Sequence, residues 1–448
     1  MKKIEYTIYK LSDEMKSCIK IDAALFKQLD VKRGLRNDDG TGVLVGLTNI
    51  GNVVGYERSP EGLKPIEGEL YYRGYEIQQL ARAIMKEKRF GFEEIAYLLL
   101  SGKLPDKEEL QDFVTVLIDN MPLEQKTILH IIELEGTNIM NILARSVLEL
   151  YTFDTTPDDT SRDNLMRQSV ELVAKFPTII AYAYNMLRHK LMGRTLHLRH
   201  AQPHYSIAQN FLYMLKGKNF TDLEARTLDL LLILHAEHGG GNNSTFTVRV
   251  TSSTGTDTYS SIAAGIGSLK GPKHGGANIK VTDMVEHLKR NICNWEDELE
   301  IKRYLTRLLN REVYDKAGLI YGIGHAVYTL SDPRATLLKE MARELAREKG
   351  RDREFAFLER LERLAIETVY EVKGDAKKMC ANVDFYSGFV YDMIGVPQEI
   401  YTPLFAMARI VGWCAHRNEE LNFEGKRIIR PAYRCVADNM KYKPLNNR

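Results

Sequence analysis

Apolar residues along most of the chain recur at the three- and four-residue intervals of an α-helix. The clearest case follows residues 221–224, Thr-Asp-Leu-Glu, which have the form of a capping box. Side chains one helical turn apart then line a single face at Leu228, Leu231, Leu232 and His235. Three glycines at 239–241 favour the left-handed backbone that ends helices. The pattern predicts a helix with His235 and His238 in its last turn.

The same periodicity predicts three further helices. One covers residues 259–269 and stops at the Gly-Pro pair 271–272, because proline lacks an N–H and clashes with the preceding turn. Two more follow one another over residues 337–345 and 358–369, and each ends near a glycine. These two are expected to form a helical hairpin.

The first fifty residues are the least regular part of the chain. Two β-prone stretches, VLVGLT at 43–48 and NVVGYE at 52–57, predict a small hairpin before the helices begin. No run of strands alternates with helices and no repeat period is present, which disfavours a parallel α/β sheet and a solenoid. The predicted fold class is therefore all-α, with short β-hairpin elements near the N-terminus.

Length and charge narrow the class of protein. At 448 residues the chain is long enough for a large domain and a second, smaller one. Its 62 basic and 60 acidic residues leave a net charge of +2 and are mixed along the helices. Nucleic acid is therefore not an expected partner. No apolar run reaches the ~20 residues of a membrane span, so we expect a cytoplasmic protein that does not contact a membrane.

Three polar clusters interrupt the helical pattern, and each places a histidine beside glycines. They cover residues 235–245 (HAEHGGGNNST), 271–278 (GPKHGGAN) and 322–334 (GIGHAVYTLSDPR). Glycine permits close backbone approach to a ligand, and the helix dipole sets the protonation of a histidine at a helix end. A single histidine of this kind is more often structural. Three together indicate an active site.

A fourth segment, NVDFYSG, places Asp384 between Val383 and Phe385. Partial desolvation there is expected to raise the carboxyl pKa above its reference value of ~3.9 and to make the group a stronger base. The alternative is an aspartate that only caps a helix.

Arginines near these clusters are candidate anion ligands. Arg409 lies within an apolar helical stretch, LFAMARIVGWCA, where a guanidinium is unfavourable unless it meets an anion. An internal salt bridge would satisfy it equally well. Because the arginine fork matches a carboxylate, we consider Arg334, Arg409 and Arg430 as ligands for a di- or tricarboxylate.

Other classes of protein remain as alternatives. His235 and His238 flank Glu237 in a possible zinc hydrolase signature, but zinc proteases space their two histidines four apart on one helix face. Glycine pairs at 265–267 and 322–324 are fragments of a dinucleotide-binding motif, although neither completes it. A non-catalytic helical scaffold is the third alternative, and it leaves the histidine clusters without a reason.

Taken together, the segments resemble the signature segments of citrate synthases in order and in spacing. The likeness rests on HAEHGGGNNST, GPKHGGAN, GIGHAVYTLSDPR, NVDFYSG and RIIRP, with YYRGYEIQQLA and FEEIAYLLLSGKLP upstream. It covers nearly everything after about residue 40. The resemblance implies an acyltransferase that condenses acetyl-CoA with oxaloacetate and hydrolyses the thioester to give citrate and CoA. The alternative within the family is 2-methylcitrate synthesis from propionyl-CoA, since one methylene gives only ~1–3 kcal/mol of discrimination.

The resemblance also implies an architecture. A large helical domain would combine residues 1–279 and 386–448, and a small helical domain, residues 280–385, would close over the substrates. The protein would be a homodimer. It would hold no permanent cofactor and no metal, and the coenzyme A thioester would be a co-substrate.

Residue roles follow from the same resemblance. His274 would polarise the thioester carbonyl, Asp384 would remove the methyl proton, and His325 would act as the acid at the keto carbon of oxaloacetate. A neutral His274 at a helix N-terminus suits its role, because the enolate needs a donor already in place. The groups that hold the substrate carboxylates would be His238, Arg334, Arg409 and Arg430, the last reaching in from the partner subunit.

CoA would lie along one segment and contact it mainly through the backbone. That segment consists of Leu319, Ile320, Tyr321, Gly322, Ile323 and Gly324. Lys377 or Lys378 is a candidate for the CoA phosphates. Two positions depart from some members of the family, because Ala326 and Thr329 stand where those members carry basic residues.

Overall fold

The computed structural model describes residues 3–60, 62–374 and 378–447. Within this part of the chain lie 18 α-helices and one sheet of three strands. The chain divides into two compact units. The larger spans Leu47–Ile428, and the smaller combines the described parts of Met1–Gly46 and Ile429–Arg448. The predicted all-α class with short β elements near the N-terminus is confirmed.

The smaller unit begins with two helices, α1 (Lys3–Cys18) and α2 (Ala24–Gln28). Neither helix contains a buried residue. The strand predicted at residues 43–48 is wrong, because this stretch carries no regular structure. Leu44 and Leu47 are each 87% exposed, so no strand or core covers their apolar faces.

The sheet in the larger unit is an antiparallel meander of three strands, and it confirms the strand predicted at residues 52–57. β1 (Gly51–Ser59) pairs along its length with β2 (Gly62–Tyr72), and the short β3 (Tyr75–Glu76) pairs with the end of β2. A register shift between Val54 and Tyr56 bends β1.

Helices make up the rest of the larger unit and pack around one apolar core. The first eight are α3 (Ile77–Glu87), α4 (Phe92–Ser101), α5 (Lys107–Asp119), α6 (Gln125–Glu133), α7 (Ile139–Leu150), α8 (Arg162–Met192), α9 (Ile207–Lys216) and α10 (Asp222–His235). The others are α11 (Asn243–Ser252), α12 (Thr258–Lys270), α13 (Ala277–Asn291), α14 (Glu298–Leu309), α15 (Pro333–Glu348), α16 (Asp352–Lys373), α17 (Asp384–Ile394) and α18 (Tyr401–Asn422). No helix of the described residues is both long enough and apolar enough to cross a bilayer.

The predicted helix ends are confirmed with one exception. The capping box that precedes α10 is formed, with Thr221 Oγ1 accepting a hydrogen bond from the Glu224 amide at 3.1 Å. The helix stops at His235, however, so His238 lies beyond its last turn. The carbonyl of Ile233 accepts both the Ala236 amide at 3.3 Å and the Tyr72 hydroxyl at 3.0 Å, so this carbonyl in the last turn of the helix is satisfied without a further helical turn.

The domain division remains a prediction. Residues 280–385, which we expect to form the small domain, lie within the larger compact unit together with most of the predicted large domain.

Candidate active site

His274 lies in the turn between α12 and α13. Its Nε2 is 3.3 Å from the amide nitrogen of Ser244 and 3.1 Å from the Ser244 hydroxyl, which itself accepts a hydrogen bond from Trp413 Nε1. A backbone N–H only donates, so Nε2 accepts and the imidazole proton resides on Nδ1. Burial, helped by the charge of Arg409, lowers the His274 pKa to about 4. At neutral pH the ring is therefore uncharged and carries one N–H donor.

His325 has the opposite tautomer. Its Nδ1 accepts hydrogen bonds from the amides of Val327 and Tyr328, each at 3.1 Å, so the proton resides on Nε2. That Nε2 is 3.1 Å from Nε2 of His238, which must then accept and carry its own proton on Nδ1. No described residue accepts from His238 Nδ1. Burial, followed by the charge of Arg334, holds the His238 pKa well below its usual range.

The segment that carries His325 packs directly against the β1–β2 hairpin. A Cβ on Gly55 would lie 2.5 Å from the Val327 carbonyl oxygen, and one on Gly68 would overlap the Ser331 carbonyl oxygen. Thr329 Oγ1 donates to the Gly55 carbonyl and the Gly68 amide donates to Ser331 Oγ, both at 3.1 Å. Nothing in the hairpin's sequence indicates a catalytic role, yet these two glycines allow the hairpin to pack against the His325 segment.

Asp332 and Arg334 form a buried bidentate pair at the start of α15. Asp332 Oδ1 accepts from the backbone amide and from Nε of Arg334 at 3.0 Å, and Oδ2 accepts from Nη2 at 2.7 Å. Burial alone lowers the pKa of Arg334, but Asp332 more than reverses this and the pKa ends above its ordinary value. The guanidinium is thus held in place and ionised.

Arg409 is fully buried in α18. Its Nε donates to the His235 carbonyl at 2.7 Å, whereas no described residue accepts from Nη1 or Nη2. The internal salt bridge considered above is not found among the described residues. Burial lowers the Arg409 pKa to about 10, so the group stays charged at neutral pH. A desolvated guanidinium with two unused donors fits an anionic ligand.

Asp384 is the first residue of α17. The Asn382 side chain, and not the carboxylate, accepts the Asp384 amide at 3.0 Å, so the interpretation of Asp384 as a helix cap is wrong. Burial raises the Asp384 pKa to about 6, although Arg334 and Arg409 partly oppose the rise. No described residue donates a hydrogen bond to the carboxylate, which leaves it available as a base.

Charges link these groups into one site. The Arg409 guanidinium perturbs the pKa values of His274, His238 and Asp384, and His325 contacts His238 directly. Arg430 is an exposed residue of the smaller unit. Its role stays a prediction.

The predicted CoA segment, residues 319–324, pairs with the chain just before Asp384. The Gly324 amide donates to Cys380 O at 2.7 Å, and the Asn382 amide donates to Gly322 O at 2.9 Å. Both glycines have positive φ, 82° and 96°, which other residues adopt rarely. Leu319 is 49% exposed while Ile320 is buried.

Basic side chains near this segment are only partly described. Lys378 is exposed, and Lys377 lies outside the described residues. Lys280 was not among the predicted residues, and its Nζ is 5.7 Å from the centre of the Tyr321 ring. It lies in the first turn of α13, six residues after His274, and this closeness in sequence is the signal that could have found it.

The zinc alternative has no support in the geometry. His235 Nδ1 is bonded to the Leu231 carbonyl at 2.8 Å, while His238 meets His325, so the two imidazoles have separate partners. Among the described residues no group of three or more His, Cys, Asp or Glu side chains could hold a metal ion.

Fold and site together define a helical enzyme whose site combines a buried carboxylate of raised pKa, a neutral imidazole and a guanidinium without a described acceptor at Nη1 or Nη2. Residues 39–432 match the family described as "Citrate synthase, C-terminal domain". Citrate synthase 2 of Bacillus subtilis is 35% identical over 386 residues, which cover 86% of this chain and 94% of that protein. The 2-methylcitrate synthase of Shewanella oneidensis is 33% identical over 382 residues, covering 85% and 92%. The chain belongs to the citrate synthase family.

Solved structures agree with this assignment. The citrate synthase of Pyrobaculum aerophilum superimposes with a TM-score of 0.74 at 32% identity, covering 90% of this chain and 93% of that one. A ternary complex of the Thermoplasma acidophilum citrate synthase with carboxymethyl coenzyme A and oxaloacetate gives 0.73 at 26% identity, covering 90% and 97%. The comparisons support the citrate synthase function predicted from the sequence.

Proposed function

We propose that the chain condenses acetyl-CoA with oxaloacetate and hydrolyses the resulting thioester, so that acetyl-CoA, oxaloacetate and water give citrate and CoA. One observation carries the proposal: beside the larger effect of burial, the charge of the unpaired Arg409 guanidinium acts to lower the pKa values of both Asp384 and the neutral His274, so the three groups lie near one another. Deprotonation of a thioester methyl beside a dicarboxylate requires a base, a fixed donor and a cation. The enzyme would be an acyltransferase whose acyl group becomes an alkyl group on transfer.

The first step would be enolisation. Asp384 takes a methyl proton while the Nδ1–H of His274 donates to the thioester oxygen, where negative charge develops. Because His274 is neutral, it stabilises this oxygen without giving up a full proton. Exclusion of water would strengthen both interactions.

The second step would form the carbon–carbon bond. The enolate carbon attacks the keto carbon of oxaloacetate, and the Nε2–H of His325, turned from His238 to the substrate, would protonate the keto oxygen, which becomes the citrate hydroxyl. His238 and the arginines 334 and 409 would hold the carboxylates. Water then attacks the thioester carbonyl and expels CoA as its thiol. The backbone of residues 319–324 would bind CoA, with Lys377 or Lys378 near its phosphates.

The identity of the acyl group is tested by thiol release. We expect kcat/KM with oxaloacetate to be about 10- to 200-fold higher for acetyl-CoA than for propionyl-CoA, the range that one methylene allows. A reversed preference would assign 2-methylcitrate synthesis, which the Shewanella oneidensis relative makes a specific alternative. Absence of thiol release with both thioesters would overturn the proposed function.

A homodimer with a shared site is also part of the proposal. If Arg430 acts across the dimer, mixing inactive Arg430→Ala chains with inactive His274→Ala chains should restore activity, because each hybrid dimer contains one intact site. Differently tagged chains, purified for both tags, supply the hybrids. Hybrid dimers without activity would contradict a shared site. The cytoplasmic location stays a prediction.

A further inference from the structure

Glu237, in the first histidine cluster, has a fully buried carboxylate that the proposed mechanism does not use. Two glycines make room for it: a Cβ on Gly51 would lie 2.8 Å from its Cγ, and one on Gly412 would overlap Oε2. Burial alone raises the pKa of Glu237, but His416 and Arg409 more than reverse this, and the pKa ends below its ordinary value. The protein therefore keeps an ionised carboxylate in a closely fitted space.

A chain of hydrogen bonds fixes this carboxylate. His416 Nε2 lies 3.0 Å from Glu237 Oε1, and His416 Nδ1 lies 2.9 Å from Arg249 Nη1. A guanidinium only donates, so Nδ1 accepts and the His416 proton must reside on Nε2, directed at Glu237. Arg249 is itself anchored by Glu419 and Glu420, each at 2.8 Å. The imidazole is thereby held in a single tautomer.

The other end of the chain reaches the backbone around His238. The Gly239 amide, which directly follows His238, donates to Glu237 Oε1. On the other side, the Tyr72 hydroxyl lies 3.3 Å from the Glu237 amide and 3.1 Å from the Glu237 carbonyl. The His238 ring has one described hydrogen-bond partner, His325, lies with its centroid 5.8 Å from that of Tyr328, and has no described partner at Nδ1. Its direction therefore depends on those two side chains and on the backbone that Glu237 and Tyr72 hold.

We propose that Glu237, locked by His416 and Arg249, is a positioning residue for His238, fixing the turn at Gly239 so that the imidazole meets its substrate in one orientation. The inference rests on the proposed function, in which His238 contacts oxaloacetate. Within the described part of the chain no hydrogen bond joins Glu237, His416 or Arg249 to residues 319–324, so the effect should be confined to the dicarboxylate.

The test compares Glu237→Met with Glu237→Gln. Methionine removes both accepted hydrogen bonds, and we expect kcat/KM for oxaloacetate to fall roughly 30-fold, because small misplacements of reacting groups reduce rates strongly. The KM for acetyl-CoA should stay within about twofold. Glutamine keeps the acceptor oxygen, and we expect it to restore kcat/KM to within about threefold of wild type.

Glu93→Met is the matched control, since Glu93 is also a buried carboxylate but accepts from the Ile207 amide, away from the site. It should lower stability without changing the KM for oxaloacetate. Normal oxaloacetate kinetics in Glu237→Met, or a Gln variant as impaired as Met, would overturn the proposal. An inactive wild-type enzyme would instead overturn the proposed function.

A measurement on the wild-type protein keeps the proposal testable if the Met variant does not fold. In ¹⁵N-histidine-labelled enzyme at pH 8, the His416 signals, assigned with His416→Gln, should show the Nε2–H tautomer. The Nδ1–H tautomer would place a donor against the Arg249 guanidinium. It would contradict the proposed hydrogen bond from His416 Nε2 to Glu237.

Discussion

Asp384→Asn is expected to lower kcat for citrate formation by roughly 10³-fold, because asparagine cannot accept the methyl proton and a positioned base contributes about 10²- to 10⁴-fold. Oxaloacetate should still bind, since the arginines remain. Thiol release gives the rate and calorimetric titration gives the dissociation constant. Near-normal turnover would remove Asp384 from the role of base.

The same variant should unfold at a higher temperature than wild type at neutral pH. Burial raises the Asp384 pKa from 3.8 to about 6 in the folded protein. The folded state therefore binds more protons than the unfolded state between these values, and stability falls as pH rises through that range. Above it the ionised group lowers the free energy of unfolding by at most about 3 kcal/mol, which asparagine avoids. The stability advantage of Asp384→Asn over wild type should shrink as pH falls towards 4. The activity should show the same group, because wild-type kcat/KM should decrease below about pH 6.

Gly68→Ala is expected to reduce kcat by about 100-fold although the proposed mechanism gives residue 68 no role at the substrate. The added Cβ would overlap the Ser331 carbonyl oxygen and lie 2.7 Å from Cδ1 of Tyr328. The Tyr328 ring stacks on His325 with centroids 4.7 Å apart, so a shift of this segment moves the proposed acid. A displacement of about 1 Å can reduce a rate by this factor.

Gly46→Ala is the control for this prediction, because residue 46 is exposed and its Cβ would meet nothing within 4 Å. It should leave kcat unchanged. If Gly68→Ala matches Gly46→Ala in kcat, the hairpin does not support the catalytic segment. Circular dichroism separates a folded but slow Gly68→Ala enzyme from one that has lost its helices.

Much of the helical framework was predictable because its signals are local. The capping box at 221–224 and the Gly-Pro stop at 271–272 mark helix ends by chemistry within a few residues. The strand predicted at 43–48 was wrong, because β-propensity is realised only with a partner strand and this stretch has none among the described residues. Strand β1 pairs with residues 62–72. The glycines, proline and charged residues of that stretch are not typical of a strand.

The candidate site was predictable as a set of residue types but not as an arrangement. Glycine-flanked histidines and an isolated aspartate pointed to His274, His325 and Asp384. The tautomer of His274 depends on Ser244, and that of His325 depends on the amides of residues 327 and 328. The spacing of residues along the sequence does not reveal these contacts. Likewise, the sequence places Glu237 beside two histidines, whereas its carboxylate contacts His416, 179 positions away.

The unpaired guanidinium of Arg409 predicts that a bound dicarboxylate stabilises the folded protein. An ion that supplies two carboxylate oxygens to Nη1 and Nη2 would remove a desolvation penalty that folding alone leaves in place. Stability then rises with the logarithm of free dicarboxylate concentration once that exceeds the dissociation constant. The amount of folded protein in a cell would consequently rise and fall with the concentration of free dicarboxylate. At a low concentration of this substrate the protein would be degraded sooner.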